Sequence, residues 1–216
     1  MYCNEINTTM IDLSQIGVIP VYYSVLESML TEYSSSRHKI ASLEKSGDLM
    51  RLKKGLYVVS PNISKKLLSA ELIANHIYGP SYVSFESALR YYGLIPESVY
   101  GVKSITTKRS RNFENCITKF SYTYCNEDYY SIGVRQEQQN GFTFLIATPE
   151  KALCDLIAYT PNLRPRFKVS MLQFLEDDLR FDMDEFYKMN PEIFKKCIAF
   201  SKKKNDLLNL IKLLER

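Results

Sequence analysis

The apolar residues of the first sixty positions recur first at helical spacing and then at strand spacing. A stretch after Pro20, "VYYSVLESMLTEY", predicts a helix, and a weaker helix is predicted over Asn7–Gln15. A third helix is predicted over Ser36–Ser46, because three serines provide N-cap candidates and Gly47 follows as a C-terminal stop. The apolar residues that recur at helical spacing in the second helix are Val25, Leu26, Met29 and Leu30, and those assigned to the inward face of the third are Ile40 and Leu43.

A hairpin is predicted directly after the third helix, in "EKSGDLMRLKKGLYVVS" (residues 44–60). Met50 and Leu52 fall on one side of an extended strand, and Arg51 and Lys53 fall on the other. Gly55 stands where a tight turn needs a positive φ angle, and the four residues after it are apolar and β-prone. Three helices followed by a hairpin with a cationic tip is the element order of a winged helix-turn-helix. In that arrangement the Lys and Arg side chains of the wing hold a phosphate backbone.

The rest of the chain mixes helices and strands. Helices are predicted in "ISKKLLSAELIANHIYG", in "SFESALRYYG" with Ser84 as its N-cap, in "TPEKALCDLIAY" with Thr148 as its N-cap, and in the tail from Ser170 to Arg216. Strands are predicted in "SVYGVKSITT", "CITKFSYTYC", "SIGVRQ" and "GFTFLIA". The apolar stripe of the first of these helices is assigned to Leu67, Leu68, Leu72, Ile73 and Ile77.

These patterns predict an α+β fold in two domains. Residues 1–62 are expected to form a winged helix-turn-helix. Residues 63–216 are expected to form a mixed α/β domain with an antiparallel sheet and C-terminal helices.

Positive charge is concentrated in one block of the chain. The 216 residues have a formal net charge of +4, but residues 35–66 contain eight Lys or Arg side chains and only two acidic ones. Residues 1–34 contain four acidic side chains and no Lys or Arg. A cationic cluster of this kind favours a polyanionic partner, although a charged hairpin can also be a solvated surface.

Composition and cysteine usage narrow the class of protein. An apolar fraction of 45% is ordinary for a globular protein, and no apolar run approaches the length of a membrane span. The N-terminus has no basic leader before an apolar stretch, so no secretory signal is expected. The five cysteines form no CxxC pair, which favours reduced thiols in a cytoplasmic protein. Cys116 and Cys125 are predicted to be buried.

The sequence offers little support for catalysis. Glu150 and Asp155 lie close together in "TPEKALCDL", but Glu150 complements the positive start of a helix, and Asp155 is assigned a structural role. No P-loop and no G-x-S-x-G motif occurs, and two histidines with scattered cysteines do not make a metal site. We therefore expect no enzyme, no cofactor and no metal. An enzyme acting on nucleic acid through Glu86, Glu150 or Asp155 remains an alternative, as does a protein-interaction module without specific DNA binding.

Three stretches together carry a family resemblance. "KIASLEKSGDLMRLKKGLYVVS", "YGPSYVSFESALRYYGLIPE" and "IATPEKALCDLI", in this order, resemble the AbiEi family, which consists of antitoxins and transcriptional regulators of abortive-infection type IV toxin–antitoxin systems. The resemblance covers most of residues 20–160. It implies that the N-terminal domain binds double-stranded operator DNA and represses its own operon. It also implies that the C-terminal domain neutralises a nucleotidyltransferase-like toxin, as part of phage defence.

The resemblance and the charge pattern define two candidate surfaces. The third helix is expected to enter the major groove, with the hairpin on the phosphates. A second basic stretch, "SITTKRSRNFENC", is either an ordinary hairpin loop or a contact with toxin or nucleic acid. The DNA-binding set is Ser35, Ser36, Arg37, His38, Lys39, Ser42, Arg51, Lys53 and Lys54; the second set is Lys108, Arg109 and Arg111.

Overall fold

The computed structural model describes residues 13–96 and 100–215, and the chain divides into two compact units. Unit 1 comprises residues 1–69 and unit 2 comprises residues 70–216. The sequence-based boundary after Asn62 falls inside a short helix of unit 1, α3 (Pro61–Ser64). Most of the helix predicted over Asn7–Gln15 lies outside the described residues, and its last residues, Leu13–Gln15, form a 3-10 turn.

Unit 1 contains a three-stranded antiparallel sheet in the order β1-β3-β2. Its elements in chain order are β1 (Val21–Tyr22), α1 (Tyr23–Met29), α2 (Ser36–Ser46), β2 (Leu49–Lys53), β3 (Leu56–Val59) and α3. The bounds predicted for α2 and for the return strand of the hairpin are confirmed. Strand β1 was missed, since it is only two residues long and depends on pairing with β3.

The core of unit 1 lies between its helices and its sheet. Its fully buried members include Leu26, Leu30 and Ile40 from the helices and Leu49 and Tyr57 from the hairpin. Of the four apolar residues that recur at helical spacing here, Leu26 and Leu30 are buried, whereas Val25 and Met29 are 46% and 38% exposed. Leu26 and Leu30 lie one turn apart and define the inward side of α1, so the residue before each of them is turned toward solvent.

Unit 2 is built on a six-stranded sheet in the order β6-β7-β5-β4-β9-β8. The strands are β4 (Ser81–Val83), β5 (Val102–Thr106), β6 (Arg111–Glu114), β7 (Lys119–Tyr124), β8 (Val134–Gln139) and β9 (Phe142–Ala147). The helices are α4 (Ala70–Ile77), α5 (Phe85–Tyr91), α6 (Glu127–Tyr130), α7 (Pro149–Tyr159), α8 (Lys168–Gln173), α9 (Met183–Phe186), α10 (Pro191–Phe200) and α11 (Lys204–Leu214), with a π-helical turn at Phe174–Asp178. The α+β class is confirmed for the described residues.

The sheet of unit 2 is mixed, so the prediction of an antiparallel sheet was wrong. Strands β5 and β7 are parallel, and so are β4 and β9; the remaining neighbours are antiparallel. Strand β7 inserts between β5 and β6 and thereby runs in the direction of β5. Alternation of apolar residues fixes the face of a strand but not its neighbour, because pairing of distant strands is a property of the whole fold.

Two further details of unit 2 differ from the sequence prediction. Helix α4 begins at Ala70, and Leu67, assigned to its apolar stripe, is 86% exposed. The sequence predicts an inward face of Ala152, Leu153, Leu156 and Ile157 for α7. All four are buried, and burial extends over the whole stretch from Lys151 to Ile157.

Within the described residues, no helix is long and apolar enough to cross a membrane.

Candidate nucleic-acid interface

Helix α2 is fixed at both ends by its own sequence. Ser35 is the N-cap, and its Oγ accepts a hydrogen bond from the backbone N–H of His38 at 3.4 Å. The Ser36 hydroxyl donates to the carbonyl oxygen of Leu30 at 3.3 Å. Gly47 closes the helix in the left-handed conformation, with φ of 80°. The hydroxyls of Ser35 and Ser36 are thus engaged in capping and anchoring α2, although both were predicted to bind DNA.

The exposed side of α2 forms a contiguous cationic face. Arg37, His38, Ala41, Ser42 and Lys45 are all exposed, and their spacing places them opposite buried Ile40. We call these five residues the α2 face. Its centre has small side chains, which lets another molecule approach the helix closely. Lys45 was absent from the predicted set, although it lies eight positions after Arg37 and helical spacing alone would have found it.

Lys39 lies at the flank of α2 and not on the α2 face. Its Nζ atom is 5.0 Å from the centroid of the Tyr33 ring, a cation–π distance, and the side chain is half-buried. The sequence-based assignment of Lys39 to the same surface as Arg37 therefore does not describe this structure. Successive residues of a helix are about 100° apart, so Arg37 and Lys39 point in widely different directions.

The hairpin is joined to α2 by Arg51. The Nε atom of Arg51 is 3.5 Å from Oε1 of Glu44 on α2, and its Nη2 donates to the Tyr57 hydroxyl at 3.4 Å. The hydrogen bond from Arg51 to Tyr57, followed by the negative charge of Glu44, raises the pKa of the guanidinium. The side chain remains 52% exposed, so its outer edge can still reach a ligand. Arg51 thus links the hairpin to α2 at the surface, above the core that Ile40 shares with Leu49 and Tyr57.

The tip of the hairpin is a tight, bulged turn. Arg51 pairs with Tyr57 and Lys53 pairs with Leu56, so strand β2 has one residue more than β3 at this point. Because of this bulge Leu52 is buried whereas Met50 is only half-buried, and the simple two-sided alternation predicted for the strand is interrupted.

Two cations stand at the tip itself. Lys54 is exposed and Lys53 is half-buried. Gly55 has φ of 77°, and its carbonyl oxygen accepts a hydrogen bond from the Tyr23 N–H at 2.9 Å. The tip is thereby anchored to the start of α1.

The second predicted set lies along one edge of the unit 2 sheet. Lys108 donates to the carbonyl oxygen of Gly79, and its Nζ is 5.5 Å from the Tyr78 ring centroid. Arg111 belongs to edge strand β6, and its guanidinium is 5.0 Å from the Phe113 ring centroid. Lys108, Arg109 and Arg111 are all exposed. Charged side chains on an edge strand also prevent unwanted strand pairing, so this surface has a structural use as well.

The carboxylates considered as catalytic candidates, Glu86 and Glu150, already have partners within unit 2. Glu86 forms an ion pair with Lys103 at 2.8 Å, and Glu150 accepts a hydrogen bond from the backbone N–H of Asn190 at 3.0 Å. The described residues contain no cluster of three or more His, Cys, Asp or Glu side chains that could hold a metal ion.

Asp155 is sealed in a buried polar network. Its Oδ2 accepts hydrogen bonds from the hydroxyls of Ser84, at 2.6 Å, and Tyr82, at 3.1 Å. Its Oδ1 faces the Lys151 ammonium at 3.2 Å as an ion pair without an aligned hydrogen bond. The side chains of Asp155 and Lys151 have no exposed surface, and Lys151 donates to the carbonyl oxygen of Tyr129 at 3.0 Å.

This network corrects the assignment of Ser84. Ser84 occupies the N-cap position of α5, but its side chain caps nothing there, because the hydroxyl is committed to Asp155. Burial, followed by the charge of Asp155, raises the pKa of Tyr82 well above its ordinary value, so its hydroxyl keeps the proton that it donates. The four side chains thus form a closed structural unit without access for a substrate.

The cysteines divide between core and surface. Cys125, Cys154 and Cys197 are buried and free, and burial raises the pKa of Cys125 to about 12. Cys116 is exposed, so the prediction of a buried thiol was wrong there. Cys3 lies outside the described residues.

Comparisons with known proteins give a distant structural neighbour. No family model matches the chain, and no curated protein matches it in sequence. Among solved structures, the chain is similar to the RV2827C protein from Mycobacterium tuberculosis, with 14% identity and a TM-score of 0.48 over 94% of this chain and 78% of that one. Similarity at this level carries no information on function.

Proposed function

We propose that this chain is a DNA-binding autorepressor and antitoxin of the AbiEi type, acting in the cytoplasm. Its unit 1 would act as a winged helix-turn-helix, with α1 and α2 as the helix pair and β2–β3 as the wing. The observation that supports this most strongly is the pairing of the α2 face with an adjacent cationic hairpin. The two share the core of unit 1, and the ion pair of Arg51 with Glu44 links them at the surface.

The dimensions and chemistry of the α2 face suit duplex DNA. An α-helix of eleven residues is roughly 16 Å long and enters a major groove about 12 Å wide. Arg37 can donate two hydrogen bonds to a guanine edge, and His38 and Ser42 can bond base edges or phosphates. Lys45 and the hairpin lysines would then neutralise phosphates on either side of the groove.

The wing is tested by the Lys53→Ala/Lys54→Ala variant. The slope of log Kobs against log[salt] is negative, and each lost phosphate contact is expected to make it less steep by about 0.9. The double variant should therefore show a slope that is less steep by up to about 1.8. Affinity for DNA from upstream of the coding sequence should fall with it. Fluorescence anisotropy at several salt concentrations measures both quantities.

The matched control for the wing variant is Lys196→Ala together with Lys212→Ala, which removes the same charge from exposed positions in unit 2. Its affinity and salt slope should equal those of the wild type. A wing variant with an unchanged affinity and salt slope would show that the hairpin does not contact DNA.

Unit 2 would oppose the toxin, with Lys108, Arg109 and Arg111 as the contact surface. Charge reversal at all three positions is expected to abolish rescue of cells that produce the nucleotidyltransferase-like toxin, because the acidic side chains would repel whatever the cations attract. Operator binding should be unchanged, since unit 1 is intact. Growth rescue measures toxin neutralisation, and anisotropy measures operator binding. Full rescue by the charge-reversed variant would exclude this surface as the contact with the toxin.

A second candidate function is favoured by the exposed apolar and aromatic side chains of α1 and of the residue before it. Tyr22, Val25 and Met29 are exposed, and Val25 and Met29 lie one turn apart. A protein-interaction module would use such a patch and would bind DNA of any sequence equally or not at all. Val25→Ser/Met29→Ser should leave operator affinity unchanged if unit 1 acts mainly on DNA, and should abolish partner binding if it is an interaction module.

A further inference from the structure

Unit 2 contains a cavity of about 760 Å³ between the loop that follows α7 and the start of α11. The side chains that give it its character are Arg164, Arg166, Phe167, Lys202 and Lys204. We call it the basic cavity. It belongs to neither of the two surfaces discussed above.

One wall of the basic cavity is held by Lys203. The Lys203 Nζ donates to the carbonyl oxygens of Ile157 and Thr160, both at 2.8 Å. A third bond goes to the carbonyl oxygen of Leu163 at 3.0 Å. Burial, followed by the positive charge of Arg164, lowers the pKa of this ammonium. Lys203 therefore serves to end α7 and fix the loop after it.

The same loop is attached to α11 by two further contacts. Arg164 Nη1 is 3.7 Å from Asp206 Oδ2, and the Asn209 side-chain amide donates to the carbonyl oxygen of Pro165 at 2.9 Å. Asp206 and Asn209 are both buried. The cavity is thus built before any ligand arrives, which reduces the entropy lost on binding.

Three cations and one aromatic ring remain available to a ligand. Arg166, Lys202 and Lys204 are exposed, and no acidic side chain in residues 13–96 or 100–215 lies within ion-pair distance of them. Phe167 is 73% exposed beside them. An aromatic ring exposed to this extent contributes little to the packing of unit 2. The ring suits the base of a nucleotide, and the neighbouring cations suit its phosphate.

We propose that the basic cavity binds single-stranded nucleic acid. Arg166, Lys202 and Lys204 would contact successive phosphates, and one unpaired base would stack on Phe167. A duplex keeps its bases stacked inside and cannot present one to the ring. An acidic protein would use the cations but gain little from the exposed aromatic face. The site lies outside unit 1 and binds a different form of nucleic acid, so it is independent of the proposed operator binding.

The test is fluorescence anisotropy of a labelled twelve-nucleotide oligothymidylate titrated with the full chain. Arg166→Ala/Lys204→Ala is expected to weaken binding at least tenfold and to lower the salt slope by about 1.4, since each contact to a single strand contributes about 0.7. Phe167→Ala is expected to weaken binding about tenfold with an unchanged salt slope, because stacking releases no counterions.

Two controls make the result decisive. Lys196→Ala/Lys212→Ala should bind the oligonucleotide as the wild type does, and far-UV circular dichroism confirms that each variant is folded. Wild-type affinity in folded Phe167→Ala would overturn the proposal. So would a hairpin duplex of equal length that binds as tightly, or inorganic phosphate that competes as well as the oligonucleotide at equal phosphate concentration.

Discussion

Replacing Asp155 by alanine is expected to destabilise unit 2 by about 3–5 kcal/mol, the usual cost of leaving a buried charge without its partner. Lys151 would keep a fully buried ammonium, and the Ser84 and Tyr82 hydroxyls would lose their acceptor. Thermal unfolding of the full chain, followed by circular dichroism, should show the unit 2 transition lowered by roughly 6–20 °C.

Two matched variants identify the cause of that loss. Glu192→Ala removes a surface ion pair with Lys195 and should leave the melting temperature close to that of the wild type, because solvent screens an exposed pair. Asp155→Leu combined with Lys151→Met removes both buried charges and should recover the part of the loss that comes from the unpaired Lys151 ammonium, while the Ser84 and Tyr82 hydroxyls stay without their acceptor. An Asp155→Ala melting temperature within about 2 °C of the wild type would show that the network is not structural.

Charge reversal on the α2 face is expected to have the largest effect on DNA binding. Arg37→Glu/Lys45→Glu places one acidic side chain against a base edge and another beside phosphates, and loss of the Arg37 base contact already costs about 1–3 kcal/mol before repulsion is added. Affinity for the upstream DNA should therefore fall by about 100-fold or more. Anisotropy or a mobility shift with the labelled fragment measures this loss.

The control for the α2 face is Lys196→Glu/Lys212→Glu, which makes the same change in net charge on unit 2. Its affinity should fall only slightly, through the long-range field of the protein. Equal losses in the two variants would mean that net charge alone governs binding and that α2 makes no specific contact.

Local signals allowed the sequence to predict α2 and the return strand of the hairpin. The Ser35 cap, the Gly47 stop and the positive φ of Gly55 are properties of a few neighbouring residues, and the structure has each of them. The strand directions in unit 2 depend on partners more than sixty positions apart, such as Val83 and Ile146. No local pattern carries that information.

In the candidate interface, too, the features set by neighbouring residues were predictable and those set by distant contacts were not. Helical spacing correctly places Arg37, His38 and Ser42 on one exposed face, and applied strictly it would have included Lys45 and excluded Lys39. The engagement of Arg51 with Glu44 and Tyr57 was not predictable, because it needs the docking of the hairpin against α2. The Ser84–Asp155 contact likewise joins residues that only the fold brings together.

The most direct test of the account compares two duplexes bound by the wild-type chain at two salt concentrations. One is the DNA immediately upstream of its own coding sequence, and the other is a shuffled duplex of the same length and composition. Because a repressor must find its operator among many other sites, the upstream duplex should bind at least about 10³-fold more tightly, with both affinities falling as salt rises. Equal affinity for the two duplexes, or no binding to either, would contradict the proposed role of unit 1.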